Sequence, residues 1–184
     1  MLRVSFNLDE EALRHFAEVA QQTSAHARSQ SPEAVVEAAR RMLEKAASAG
    51  LPGFMKERYS RLETLLEMLA DEDWALAPED RQRVLNALAC STTPPPVASG
   101  PELLDQAIMI ELVSRDLKHD LEAYQAFKRF RQSRQGRSRG GPEHRGEWLR
   151  ERRERLQKRM HERRRRDLEA AGSSLRKVLS LFGL

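Results

Sequence analysis

Residues 102–130, ELLDQAIMIELVSRDLKHDLEAYQAFKRF, contain neither proline nor glycine and hold the most apolar pattern in the chain. Leu103, Ala107, Ile110, Val113, Leu117, Leu121 and Tyr124 recur at steps of three and four, which draws one apolar face on a helix. In the first half, Leu104, Ile108, Met109 and Leu112 spread apolar surface around nearly the whole circumference. Such a helix is buried on several sides. One rod over Pro101–Phe130 is therefore expected, its first half a core helix and its second half riding half-exposed. A chain built around it is all-α, because β-branched residues are few and no stretch sustains a two-residue alternation.

The other helices follow from start and stop signals. Asn7, three residues before Glu10, has the form of a cap with its reciprocal glutamate, and Leu8, Leu13, Phe16 and Val19 with Ala20 draw the stripe of a first helix ending near Thr23. Ser31-Pro32 opens a second helix and Gly50 closes it. Its inward residues are Val35, Val36, Ala39, Met42, Leu43 and Ala46. A third helix spans about 54–70, with Phe54, Met55, Leu62, Leu65, Leu66 and Leu69 apolar. The acidic trio Asp71-Glu72-Asp73 suits a loop, which Trp74 pins to the core. Pro78-Glu79-Asp80 begins a short fourth helix burying Val84, Leu85, Leu88 and Ala89. Residues 90–100, CSTTPPPVASG, are irregular by composition. The expected fold is a compact bundle of about five helices, residues 3–130, followed by a long basic C-terminal helix.

Charge divides the chain more sharply than its net of +4 suggests. Residues 1–127 carry 13 basic and 21 acidic side chains, a net of −8, and residues 128–184 carry 19 and 7, a net of +12. Between them, residues 131–146 are rich in Gly, Ser and Arg and read as a flexible joint. Residues 147–184 then form a basic extension: a helix over 147–170 with a thin stripe of Leu149, Leu156 and Met160, and an amphipathic tail with Leu175, Val178, Leu179 and Phe182. The single cysteine excludes an internal disulfide, no apolar segment of signal-peptide length opens the chain, and no window has the ~18 apolar residues of a membrane span. These features favour the cytoplasm.

Several segments together resemble the YkvA-like bacterial family, a domain of unknown function. They are SFNLDEEALRHF, LPGFMKERYSRLETLLEMLADEDWAL, PEDRQRVLNALA and, above all, LLDQAIMIELVSRDLKHDLEAYQAF, within residues 3–131. The resemblance implies a compact helical domain and no established reaction. The family's acidic loop, ending in Gly-x-Leu-Asp-Asp, is degenerate here. Residues 91–100 hold no acid, Glu102 stands at the glycine position and Gln106 at the second aspartate, so only Asp105 matches. Any metal or basic partner that the family's loop serves is lost with it.

No paired carboxylates, Gly-rich phosphate loop or Ser/His/Asp arrangement stands out, and Cys90 falls at the end of a helix, where thiolate is not favoured. Neither a cofactor nor a small-molecule substrate is implied. Asp116, His119 and Asp120 share one turn, but a solvated face is the expected use of them rather than a metal site. Glu111 with Arg115, and Lys118 with Glu122, are spaced for surface ion pairs, and Asp105 for tethering backbone N–H groups at its helix start: structural roles.

The strongest functional signal is Lys128–Arg166, with 17 basic residues against five glutamates. Arginine suits phosphate because its planar fork donates two parallel hydrogen bonds. Arg150, Arg152, Arg153, Arg155, Lys158, Arg159, Arg163, Arg164, Arg165 and Arg166 are the candidate polyanion-binding set. The partner would be RNA or ribonucleoprotein, bound without sequence reading, since no helix-turn-helix pattern appears. Engaging ~6–10 phosphates would cost ~10³–10⁵ in affinity between ~50 and ~200 mM salt. Three alternatives stay open. The basic helix docks on the acidic body, on a second copy or on another protein; its interleaved glutamates make it merely a solvated helix; or the tail touches an anionic membrane.

Overall fold

Ser31 and Pro32 start a helix as their chemistry dictates: Ser31 Oγ accepts from the Ala34 N–H at 3.2 Å, and Pro32 takes the first helical position, where no N–H is needed. The computed structural model describes residues 9–12, 14, 15, 18, 21, 30–92, 102–134 and 142–170, and of 102–105, 134 and 142–145 the backbone alone. Regular structure among the described residues is entirely helical. Glu10, Glu11, Ala12, Arg14, His15, Glu18 and Gln21 are helical and form α1. The others are α2 (Pro32–Ser48), α3 (Gly53–Ala70), α4 (Pro78–Thr92), α5 (Glu102–Asp116), α6 (Lys118–Arg134) and α7 (Pro142–Ala170).

The cap of α1 is Asp9, whose Oδ1 accepts from the Ala12 N–H at 2.8 Å; Asn7 lies outside the described residues. In α2 the expected stripe faces inward, with Val35 and Ala39 buried and Val36, Met42, Leu43 and Ala46 packed against them. Gly50, at φ +58°, takes the left-handed turn that ends it.

α3 buries Met55, Leu62, Leu65 and Leu69 as its spacing requires, and also Arg58, Tyr59 and Met68. Arg58 is tolerated because Phe54 O accepts from its guanidinium at 2.9 Å and Glu111 of α5 lies at 3.0 Å. The Tyr59 hydroxyl donates to Gln106 Oε1 at 2.7 Å, so the amide at that position is part of the α3–α5 packing.

α4 is the central helix, a role the periodicity assigns to residues 101–130. Every residue from Arg83 to Ser91 is buried, because Ala87, Ala89, Cys90 and Ser91 are small enough for α2, α3 and α5 to approach from different sides. It also runs longer than expected: Cys90, Ser91 and Thr92 are helical, and Ser91 Oγ donates back to Ala87 O at 2.8 Å.

The rod over 101–130 is two helices. α5 and α6 are separated at Leu117, although Leu117 N still donates to Val113 O at 3.0 Å and Leu117 O accepts from Leu121 N at 2.9 Å. α5 is buried on most sides, from Ala107 to Ile110 and at Val113, Ser114 and Asp116, as is Leu117 after it. The segment read as a joint is shorter than 131–146, since α6 continues to Arg134 and α7 begins at Pro142, carrying Gly146 within it.

α7 packs chiefly against α6, and Leu149, Leu156 and Met160 belong to the same buried cluster as the residues of α2–α6. Trp74 is the junction. Fully buried in the α3–α4 loop, it meets the Tyr124 ring edge-on at 5.6 Å and the Phe127 ring at 5.2 Å, while its carbonyl accepts from Gln157 Nε2 of α7 at 2.9 Å. Asp71 ties this loop in place. Its Oδ1 accepts from the N–H groups of Asp73 and Trp74, and its Oδ2 accepts from the Tyr124 hydroxyl at 3.0 Å and lies 2.8 Å from Arg131.

Candidate polyanion interface

An amphipathic helix with a thin apolar stripe docks only if polar contacts supplement it. On α7 the stripe Leu149, Leu156 and Met160 is flanked by Arg153, Gln157, His161 and Arg164. Arg153 donates to Asp73 O at 3.3 Å, and His161 Nε2 lies 2.8 Å from Asp80 Oδ2. Both terminal nitrogens of Arg164 donate to Asp80 Oδ1 at 3.0 Å, and one also donates to Asp120 Oδ1 at 2.9 Å. At the rim Arg163 donates to Glu122 at 3.1 Å, and Asp167 pairs with Lys118 and with His119.

Behind Arg164 the network continues inward. Arg83 of α4 donates to Asp116 Oδ2 at 3.2 Å and lies 3.5 Å from Asp120 Oδ1. Three aspartates and two arginines thus meet among α4, α5, α6 and α7. Burial pushes the Asp116 carboxyl up to about 6 against the pull of Arg83, and raises Asp120 against Arg164 and Arg83. Burial alone would raise Asp80 too, but the hydrogen bond from His161 and the Arg164 guanidinium hold it below the ordinary aspartate value. Asp116 and Asp120 are therefore not a solvated face, because both fall on the apolar side of their helices. Nor do the expected surface pairs form. Glu111 is 3.0 Å from both Arg58 and Arg61, while Lys118 and Glu122 pair with α7. Arg115 is exposed, and the Asp105 side chain lies outside the described residues.

The ten candidate cations divide by face. Arg164 is architectural, its side chain 15% exposed and committed to Asp80 and Asp120; Arg153 is half-buried on the same side. Arg152, Arg155, Arg159, Arg163 and Arg166 recur at steps of three and four along the α6-facing edge and span about 21 Å of helix. No acidic residue interrupts this stripe. Arg155, Arg159, Arg163 and Arg166 are exposed, and Arg152 lies over the Phe130 ring at 5.3 Å. Arg159 and Arg166 have no ion-pair partner among the described residues. Lys158 and Arg165 belong to a neighbouring line with Glu151, Glu162 and Glu169, where Arg165 pairs with Glu169 at 3.8 Å and Glu151 reaches Arg155 at 3.4 Å. That line is the interleaved, solvated pattern, and Arg150 is exposed apart from both.

Sequence reasoning missed the network of Asp80, Arg83, Asp116 and Asp120. The available signal was charge in register with apolar residues: Asp116 falls three residues from Val113, Asp120 three and four from Leu117 and Tyr124, and Asp80 and Arg83 four from Val84 and Ala87. Among the described residues, no group of three or more His, Cys, Asp or Glu is arranged to hold a metal ion, and no helix is long and apolar enough to cross a membrane. The amphipathic tail, residues 175–184, and the proline loop, residues 93–100, lie outside the described residues. No family model, no curated protein and no solved structure matches the chain.

Proposed function

We propose that this chain is a non-catalytic helical interaction module that binds a polyanion, RNA or ribonucleoprotein, through the basic stripe along the α6-side edge of α7. In this reading α1–α6 are the platform, α7 is the long basic helix laid along it, and the module acts in the cytoplasm. The resemblance to the YkvA-like family belongs to the same reading and adds no reaction to it. One observation carries the proposal: five arginines share one helix edge with no acid among them, and four are exposed. Their forks donate paired hydrogen bonds to phosphate, and their steps of about 4.5–6 Å follow a backbone rather than read base edges.

The test uses the full chain, because removing α7 would also strip Leu149, Leu156 and Met160 from the core. Arg155, Arg159 and Arg166 are changed together to glutamine, and binding of single-stranded RNA is followed by fluorescence anisotropy at ~50 and ~200 mM salt. Five phosphate contacts give the wild type roughly a hundredfold loss across that range, and the variant's log–log salt slope is smaller by about 2. Equal binding by the two proteins, or none by either at the lower salt, rejects the proposal.

A second reading, that the basic helix serves structure by packing on an acidic surface, is supported by the contacts of Arg164, Arg163 and His161 with Asp80, Asp120 and Glu122. It accounts for the inner face of α7 and for Arg163, and leaves Arg159 and Arg166 without a use.

A further inference from the structure

We infer that one phosphate of the polyanion is seated between α6 and α7 on Arg159 and Arg163, and that the Glu122 carboxylate holds this seat until the phosphate displaces it. The inference rests on the basic-stripe reading and locates its anchor.

α6 carries alanine at 123 and 126 where it passes Leu156 and Met160 of α7, and these small side chains leave a cavity of about 80 Å³. Arg159 and Arg163, one turn apart on α7, line it, together with His119 and Glu122 of α6. At about 30 Å³ per water in the liquid, the space suits one oxyanion group and neither a base nor a sugar. Three features of the lining point to an anion. Arg159 is exposed and has no ion-pair partner among the described residues. His119 is held from outside by Asp167, whose Oδ2 lies 3.0 Å from Nε2, while its Nδ1 is buried and makes no hydrogen bond among the described residues. A buried polar atom of this kind calls for a partner. Finally, Glu122 already places a carboxylate there. Its Oε2 accepts from Arg163 at 3.1 Å and stands 3.8 Å from His119 Nδ1, beyond hydrogen-bond reach.

That carboxylate fills the seat poorly. The Glu122 side chain is 59% exposed and that of Arg163 50%, so their pair is weak, and it leaves Arg159 and His119 Nδ1 unused. A phosphodiester brings the same single negative charge on oxygens set about a tetrahedral centre. It can accept from Arg159 and Arg163 together and turn an oxygen toward His119. Glu122 then swings to the solvent that it already half faces. Within the stripe, Glu122 is thus a built-in competitor for Arg163.

The experiment measures binding of single-stranded RNA to the full chain by fluorescence anisotropy at ~50 mM salt. The proteins are the wild type, Glu122→Gln, Arg163→Gln, the variant with both changes, and Glu154→Gln, which removes the same charge elsewhere on α7. Glu122 and Arg163 are both half exposed, so the fold is not at stake. Glu122→Gln is expected to bind about 5-fold tighter than the wild type, and Glu154→Gln to differ by less than about 2-fold. Arg163→Gln binds more weakly than the wild type. In its background Glu122→Gln gains less than about 2-fold, because the gain needs the guanidinium that Glu122 releases. Glu122→Gln no tighter than the wild type, an equal gain from Glu154→Gln, or a gain undiminished in Arg163→Gln would each overturn the seat. The stripe would survive those outcomes, since the loss on changing Arg155, Arg159 and Arg166 to glutamine does not depend on Glu122. Absence of binding by the wild type and Glu122→Gln alike removes the stripe and the seat together.

Discussion

Two arginines five residues apart on α7 have opposite uses. Arg164 is held against Asp80 and Asp120, whose side chains are 2% and 1% exposed, while Arg159 faces solvent. Deleting the first leaves two buried carboxylates short of a partner; deleting the second leaves nothing behind. Arg164→Ala is therefore expected to cost about 3–5 kcal/mol of unfolding free energy. Arg159→Ala stays within about 0.5 kcal/mol. Urea denaturation of the two variants measures the difference, and equal stabilities would contradict the buried network. On RNA binding the order reverses, with Arg159 the larger loss. Composition and spacing rank these two side chains alike, since Arg159 falls three residues after Leu156 and Arg164 four after Met160; the carboxylates opposite Arg164 separate them.

At the scale of the element, α7 is a thin-striped helix that docks because polar groups flank its three apolar residues. Gln157 reaches Trp74 O, Arg153 reaches Asp73 O, and Leu156 is buried between them. Leu156→Ala in the full chain is expected to destabilise by ~2–5 kcal/mol, with Glu154→Ala as the silent control. A thermal melt in which both variants match the wild type would mean that α7 is a free arm. The same logic explains why the stripe was legible and the docking was not. Leu149, Leu156 and Met160 mark the inward face by spacing alone, but their small apolar area decides nothing until Trp74 and Asp80 are seen to stand opposite. α4 is the converse case: Ala87, Ala89, Cys90 and Ser91 look unremarkable in sequence, yet their small size lets three helices close around them.

At the scale of the whole molecule, its buried aspartates make stability depend on pH in two directions. Asp116 is raised from 3.8 to about 6 and Asp120 is raised as well, so their protonated forms favour the fold. That contribution is full below the unfolded value and is lost as pH rises through about 6. Asp80 and Asp71 are lowered against the effect of burial, by His161 and Arg164 and by Arg131 and Tyr124 respectively. Their contribution is present above the ordinary aspartate range and fades only as pH falls below it. Between about pH 7 and about pH 5 the raised groups act and the lowered ones do not. Asp116 alone is expected to add about 1 kcal/mol on acidification. Asp116→Asn makes that rise smaller. Denaturant titrations of both proteins at the two pH values provide the check, and parallel curves would refute the assignment.

The sequence by itself determined that the chain is helical, where α2 begins and ends, the apolar stripe of α7 and part of that of α3, and that an acidic part precedes a basic one. Those properties follow from local chemistry: caps, glycine and proline, and the period of the apolar residues. Only the tertiary structure decided that α4 is central, that the rod over 101–130 divides at Leu117, and that the basic helix lies along α6 with one side spent on Asp80 and Asp120 and the other left to solvent. The reason is physical. A charge has the same identity in the chain wherever it stands, but its energy depends on what surrounds it, and the surroundings of Arg164 come from residues 44 and 84 positions away.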